Sequence, residues 1–452
     1  MSEPVPPPPA ADQTQDAATD STITHQVDLR LLVRLSTVMF LQFVPPGLWT
    51  VTLSSYIGAN TGSAGSGMFD SAFVGIAGIA GAIGALVSPL LFGALADSWF
   101  RTERMIAVMN LACAGLLLLM VSAESQWWFL LVMIAYYQFS VPAITLNYSI
   151  SLRHLGGQRQ YFPAIRVSGT VGWIVALWVV GSVVPWWWQQ SSESLETSLW
   201  PMRFAVIAHL VVAVYSLTLP KTPPLGSASS WRRLLDGSFQ LLSSQPRLVR
   251  FLLVSFFATV PAQFYNLFAN LYLNQLGIPH AATKLSGGQI VEIFCMLALP
   301  MLLYRWGPKR VFVIGVMAWT VRYVSLAYGD ASGLPLLLVW VGILLHGVCY
   351  VFVYITGFIY VDHAATPQTQ SAAQGLLAMV TTGLGHLVGS LLTGWMQARY
   401  LTPPGSAVPP YDWHSFFLVG AFGGLLSLGL FWLLMGFARE VMPGEIEPDE
   451  AV

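Results

Sequence analysis

Phe162 to Trp173 reads FPAIRVSGTVGW, an arginine set in an apolar stretch among segments long enough to cross a bilayer. On a helix Arg166, Thr170 and Trp173, spaced i, i+4, i+7, fall on one face and stack a cation, a hydroxyl and an aromatic ring. Gly169 and Gly172 lie alongside, where a neighbouring helix can approach closely. A guanidinium in hydrocarbon costs about 2.5 kcal/mol or more, so an intramembrane arginine is read first as a functional residue. The competing reading is that Arg166, about one turn inside its helix, snorkels back to the cytoplasmic interface.

The surrounding composition makes the membrane unavoidable. Hydrophobic residues make up 55% of the 452-residue chain and charged residues 9%, with a mean hydropathy of +0.64. A soluble domain carries roughly a quarter charged residues. The net charge of −1 gives no basic face for nucleic acid. Cys113, Cys295 and Cys349 all fall in apolar segments and read as packing residues. Residues 1–32 are polar and proline-rich, with no apolar signal-peptide core, and are expected to form a disordered tail.

Working outward, apolar runs near the length of a bilayer-spanning helix recur along the chain. The expected spans are 33–57, 70–96, 104–123, 127–152, 163–185 and 201–219, then 249–273, 284–304, 310–328, 334–360, 370–396 and 413–437. This predicts an all-α membrane protein of twelve transmembrane helices. Its expected organisation is an N-terminal six-helix half (33–219), a linker (220–248), a C-terminal six-helix half (249–438) and a tail (439–452). Arg30, Arg34, Arg101, Arg104, Arg153, Arg159, Lys221, Arg232, Arg233, Arg247, Arg250, Arg305, Lys309, Arg310 and Arg439 gather on one side, against Arg203, Lys284 and Arg399 on the other. The positive-inside rule makes the crowded side cytoplasmic, with both termini and the linker. Trp127, Trp128, Trp186, Trp187 and Trp188 sit at span ends on the opposite side, as an aromatic belt does. Only Arg166 and Arg322 remain as arginines within spans.

The halves carry charged turns at equivalent places, GALADSWFRTER (Gly93 to Arg104) and YRWGPKR (Tyr304 to Arg310). The first resembles the cytoplasmic loop of the major facilitator superfamily at Gly93 and Asp97, although Ser98 stands where a basic residue is usual. Gly75, Gly78, Gly81 and Gly84, with Gly385 and Gly389, make close-packing faces. A narrower resemblance, to the nucleoside:proton symporters (bacterial nucleoside permeases), runs from LQFVPPGLW in the first span to GLLAMVTTGLGHLVG in the eleventh. It is most specific at IRVSGTVGW (Ile165 to Trp173), at Gln263 to Asn266, at Gln289 to Glu292 and at AWTVRYVSLAYGD (Ala318 to Asp330). The resemblance implies that Arg166, Thr170, Trp173, Gln263, Asn266, Gln289, Glu292 and Tyr350 bind the nucleoside or support its site.

Apart from any family, a nucleoside presents hydroxyls, an amide-rich base edge and a flat ring, which amides, a carboxylate and aromatic rings complement. Gln263 with Asn266, and Gln289 with Glu292, each place two polar groups on one face of an apolar helix. The alternative is that these amides bond helix to helix. The chain departs from the family pattern where Val351 follows Tyr350 in place of an aspartate, His346 replaces a tyrosine and Gln370 replaces a basic residue. Glu292 is then the acid expected to couple to protons, with His346 as a substitute, although a lone intramembrane histidine such as His209, His346 or His386 is more often a hydrogen-bonded packing residue. Arg322 is expected to be structural, and Asp362 with His363 a solvated pair.

The expected function is proton-coupled uptake of nucleosides or similar polar, ring-bearing solutes by alternating access of two halves. The alternative is a passive facilitator or a non-transporting solute sensor. There is no phosphate-binding G-x-x-x-x-G-K-[ST] loop, no H-E-x-x-H and no G-x-S-x-G, so neither a single-chain pump nor an enzyme is expected. The expected partners are a nucleoside-like solute, protons and the lipid bilayer, with no cofactor, metal or nucleic acid. The protein is expected to be a monomer in the bacterial inner membrane.

Overall fold

The computed structural model describes residues 28–98, 100–156, 158–224, 231–366, 369–400 and 411–436. The tails expected at 1–32 and 439–452 lie outside the described residues, apart from 28–32. The side chains of Gly93 and Asp97 lie outside them too, although both positions are helical.

The described residues are helical almost throughout, because an apolar chain in hydrocarbon must satisfy its backbone polar groups within itself. The first part comprises α1 (Leu29–Trp49), α2 (Leu53–Ala59), α3 (Phe73–Ser98), α4 (Thr102–Val121), α5 (Gln126–Leu155), α6 (Phe162–Trp178), α7 (Val184–Trp188), α8 (Ser192–Glu196) and α9 (Trp200–Ser216). An amphipathic linker helix, α10 (Trp231–Ser244), follows. The second part comprises α11 (Pro246–Thr259), α12 (Ala262–Gln275), α13 (Ala281–Ala327), α14 (Gly333–Tyr350), α15 (Thr356–Ala364), α16 (Gln370–Ala378), α17 (His386–Arg399) and α18 (Trp413–Met435). Among the described residues nine helices are long and apolar enough to cross a membrane, and Phe73–Leu86 and Trp200–Ser216 are shorter apolar helices. The longest, α13 with 47 residues, is broken at Gly307 (φ 75°, ψ 160°), inside the charged turn read from the sequence. Positive φ is open to glycine at little cost, so the chain reverses there.

α1 packs on α6, α3 on α5 and α4 on α9, while α13 packs on α14 and α18. These contacts build two bundles that meet chiefly along α3 with α17 and α6 with α13. Small residues set the closest approaches. A Cβ on Gly172 would lie 2.2 Å from the Phe40 carbonyl oxygen, and one on Gly75 2.2 Å from the Gly394 nitrogen, across the two bundles.

A buried polar knot ties the first bundle together. Trp49 Nε1 donates to the Tyr136 hydroxyl at 3.3 Å, which lies 3.0 Å from His209 Nε2. His209 Nδ1 lies 2.8 Å from Asn110 Oδ1, and Asn110 and Asn147 each donate to Gln42 Oε1 at 3.0 Å. Four helices, α1, α4, α5 and α9, are thereby fixed in register by groups that lipid could not satisfy. Three π-helical turns interrupt spans at Val179–Val183, Val351–Ile355 and Met379–Gly385. Such bulges re-aim the residues beside them. Tyr350 and His386 flank two of the three.

Candidate functional site

A cavity of about 460 Å³ lies between the bundles, within the range of small-molecule sites. The first bundle contributes Thr50, Tyr137 and Trp173; the second contributes Gln263, Tyr265, Asn266, Gln289, Arg322, His346 and Tyr350. Trp173, Gln263, Asn266, Gln289 and Tyr350 are five of the eight residues singled out in the sequence. Among the described residues, Trp173 Nε1 and Gln289 Oε1 are buried polar atoms without a hydrogen-bond partner.

Arg166, Thr170 and Glu292 are not on the cavity wall itself. Arg166 and Glu292 lie within electrostatic reach of each other and of Tyr350. Arg166 Nη1 donates to Thr170 Oγ1 at 3.4 Å, and its guanidinium lies over the Phe43 ring at 4.9 Å and the Tyr148 ring at 5.6 Å. Tyr350 and Glu292 of the second bundle lie within electrostatic reach of it. Glu292 is 6% exposed. A Cβ on Gly347 would lie 2.2 Å from the Glu292 nitrogen, so α13 and α14 approach almost backbone to backbone there.

Gln263 has two roles. It lines the cavity and also donates to Ser390 Oγ at 3.3 Å and to the His386 carbonyl at 3.4 Å, bonding α12 to α17. Asn266, one turn on, is exposed to the cavity. Arg322 is 1% exposed, donates through Nε to the Gly342 carbonyl at 3.0 Å and stacks on Tyr265. His346 stacks between Tyr265 and Tyr350, with centroids 5.5 and 6.1 Å away. His386 meets the Tyr354 hydroxyl at 2.8 Å.

The position of the missing aspartate faces elsewhere. Val351 is fully buried in an apolar cluster with Leu299, Val311 and Phe352, away from the cavity wall, and an isolated carboxylate there would be costly. Asp362 and His363 do not pair with each other. Asp362 accepts from Gln374 at 2.7 Å and from Gln370 at 3.3 Å, so the amide at 370 takes up the bond a basic residue would make. His363 Nδ1 lies 2.8 Å from the Ile359 carbonyl. Cys113, Cys295 and Cys349 are free, and Cys349 lies on the cavity wall. Tyr137, Tyr265 and Trp319 line the cavity although sequence reading passed over them, because an aromatic residue within an apolar run carries no signal separating it from packing.

The chain is similar over most of its length to known proteins. A family model described as nucleoside H+ symporter matches residues 29–440. The chain is 32% identical to the putative nucleoside transporter YegT of Escherichia coli K12, over 91% of this chain and 95% of that one. It is 31% identical to the xanthosine permease of the same organism, over 93% of this chain and 99% of that one. The crystal structure of the nucleoside transporter NupG superposes with a TM-score of 0.78 at 26% identity, covering 91% of this chain and all of that one. The fold is accordingly that of the major facilitator transporters. The chain is an integral membrane protein that belongs to the nucleoside:proton symporter family.

Proposed function

We propose that the protein imports nucleosides together with protons across the bacterial inner membrane, by alternating access of two six-helix halves, 33–219 and 249–438. In this reading the chain crosses twelve times, since α13 counts as two crossings at Gly307 and the two shorter apolar helices each count as one. The linker 220–248 and the tails 1–32 and 439–452 are cytoplasmic, following the arginine and lysine bias.

The observation that carries the reading is a cavity between the halves lined by Trp173 from one and by Gln263, Asn266, Gln289 and Tyr350 from the other, with Arg166 and Glu292 of opposite halves within electrostatic reach of each other beside it. A nucleoside base fits such a wall, with its flat face against Trp173 and Tyr350 and its donors and acceptors toward Gln263, Asn266 and Gln289. Glu292 serves as the proton-coupling carboxylate, poised between burial and the nearby guanidinium. The test is thermal stabilisation of the purified protein by a panel of nucleosides, free bases, ribose and unrelated sugars. Nucleosides alone should raise the unfolding midpoint; a shift with sugars and none with nucleosides would refute the assignment.

A further inference from the structure

Glu196 is a carboxylate that the cavity does not use. It closes the short helix α8, in the connection between α7 and α9, one crossing away from the linker. It is fully buried although it lies outside the spans. Its partners all come from the other bundle. Glu196 Oε2 accepts from Asn270 Nδ2 at 2.7 Å and from Asn274 Nδ2 at 2.9 Å, and Oε1 accepts from the Ala282 backbone N–H at 3.0 Å. Ser55 on α2, again in the first bundle, donates to Asn270 Oδ1 at 2.6 Å and accepts from Asn274 Nδ2 at 2.9 Å. A carboxylate that only accepts is thus surrounded by three N–H donors of the facing half, and the two asparagines are bound from both sides.

We propose that Glu196 is the positioning residue of a latch that holds the two halves shut on the face away from the linker, and that the transport cycle opens this face by breaking its bonds to Asn270, Asn274 and Ala282. The proposal rests on the alternating-access reading. A bundle contact meant only for stability would be met as well by apolar side chains, whereas a buried carboxylate bonded wholly across the interface is replaced by water, donor for donor, when the interface parts. Asn270 also lines the cavity, so the latch and the solute cavity share a side chain. Movement of the solute at one end is transmitted to the closure at the other through a single turn of α12, from Asn266 to Asn270.

The test is accessibility of the cavity from each face. Asn266→Cys, at a position exposed to the cavity, is labelled with a membrane-impermeant maleimide in right-side-out and in inverted vesicles, the parent protein giving the background of the native cysteines. With Glu196 intact, labelling should come from the linker face. Glu196→Ala should raise labelling from the opposite face by roughly tenfold, the shift expected when one side of a two-state equilibrium loses its bonds. Asn274→Ala should do the same more weakly, and it serves if Glu196→Ala does not reach the membrane. Unchanged labelling from the opposite face in either well-expressed variant would overturn the latch. Because the readout needs no solute, this result stands apart from the thermal-shift test, whose failure would remove the nucleoside assignment and leave the latch to be judged on labelling alone.

Discussion

Arg322 Nη2 and His346 Nδ1 lie 3.3 Å apart across α13 and α14. A guanidinium only donates, so Nδ1 accepts and the ring carries its proton at Nε2. A second proton, at Nδ1, would break this bond and set two cations side by side at the cavity wall. The pair therefore reads as a brace that holds Tyr265 and Tyr350 against the cavity, and not as a proton carrier.

The brace predicts that His346→Gln, whose amide oxygen can still accept from Arg322, keeps substrate-driven proton uptake, with transport reduced by no more than about threefold. Fluorescence of a trapped pH dye in proteoliposomes measures it. Abolished proton movement with substrate binding intact would assign the proton to His346.

Trp173 and Gln263 should fail differently. Trp173→Ala removes ring contact for every nucleoside, about 1 kcal/mol or more and hence roughly fivefold or more in affinity, whatever the base. Gln263→Ala should discriminate among bases. Because Gln263 also bonds Ser390, Ser390→Ala is the control that cuts one of its two bonds to α17 and leaves the amide in the cavity. Binding isotherms for a purine and a pyrimidine nucleoside separate the cases, and equal losses from Gln263→Ala and Ser390→Ala would make Gln263 a packing residue.

His209 belongs to the fold. It is fully buried and joins Asn110 to Tyr136, far in sequence from both and off the cavity wall. His209→Ala should leave the buried Tyr136 O–H without its histidine acceptor and Asn110 Oδ1 with one donor fewer, at about 1–3 kcal/mol, lowering the thermal midpoint while the KM for nucleoside stays within about twofold. A changed KM at unchanged stability would place His209 in the transport path.

The architecture was legible because hydrocarbon imposes its own pattern. Runs of bilayer length, a turn at Gly307 and the arginine bias are consequences of a single solvent constraint, and span ends read from the sequence fall close to the helix ends observed. The polar residues of the cavity were legible for the same reason, since Gln263, Gln289 and Glu292 stand out in apolar helices. What could not be read was which polar groups meet. The sequence offers no hint that Glu196, in a loop, is buried among α12 asparagines, or that Val351 faces the interior of its own bundle. Those facts follow from how helices are rotated and how the two bundles close, which single-helix periodicity does not encode.

The central claim is that Glu292, buried where α13 and α14 pack closely at Gly347 and within electrostatic reach of Arg166, links proton to nucleoside. It is tested by purified protein in proteoliposomes with an imposed inward proton gradient, measuring labelled nucleoside uptake and internal acidification together for wild type and Glu292→Gln. The amide keeps the shape of the side chain but cannot ionise. The account predicts that wild type accumulates nucleoside above the external level with matching acidification, whereas Glu292→Gln loses both yet still exchanges nucleoside across the membrane. Gradient-driven accumulation with undiminished acidification in Glu292→Gln would contradict it.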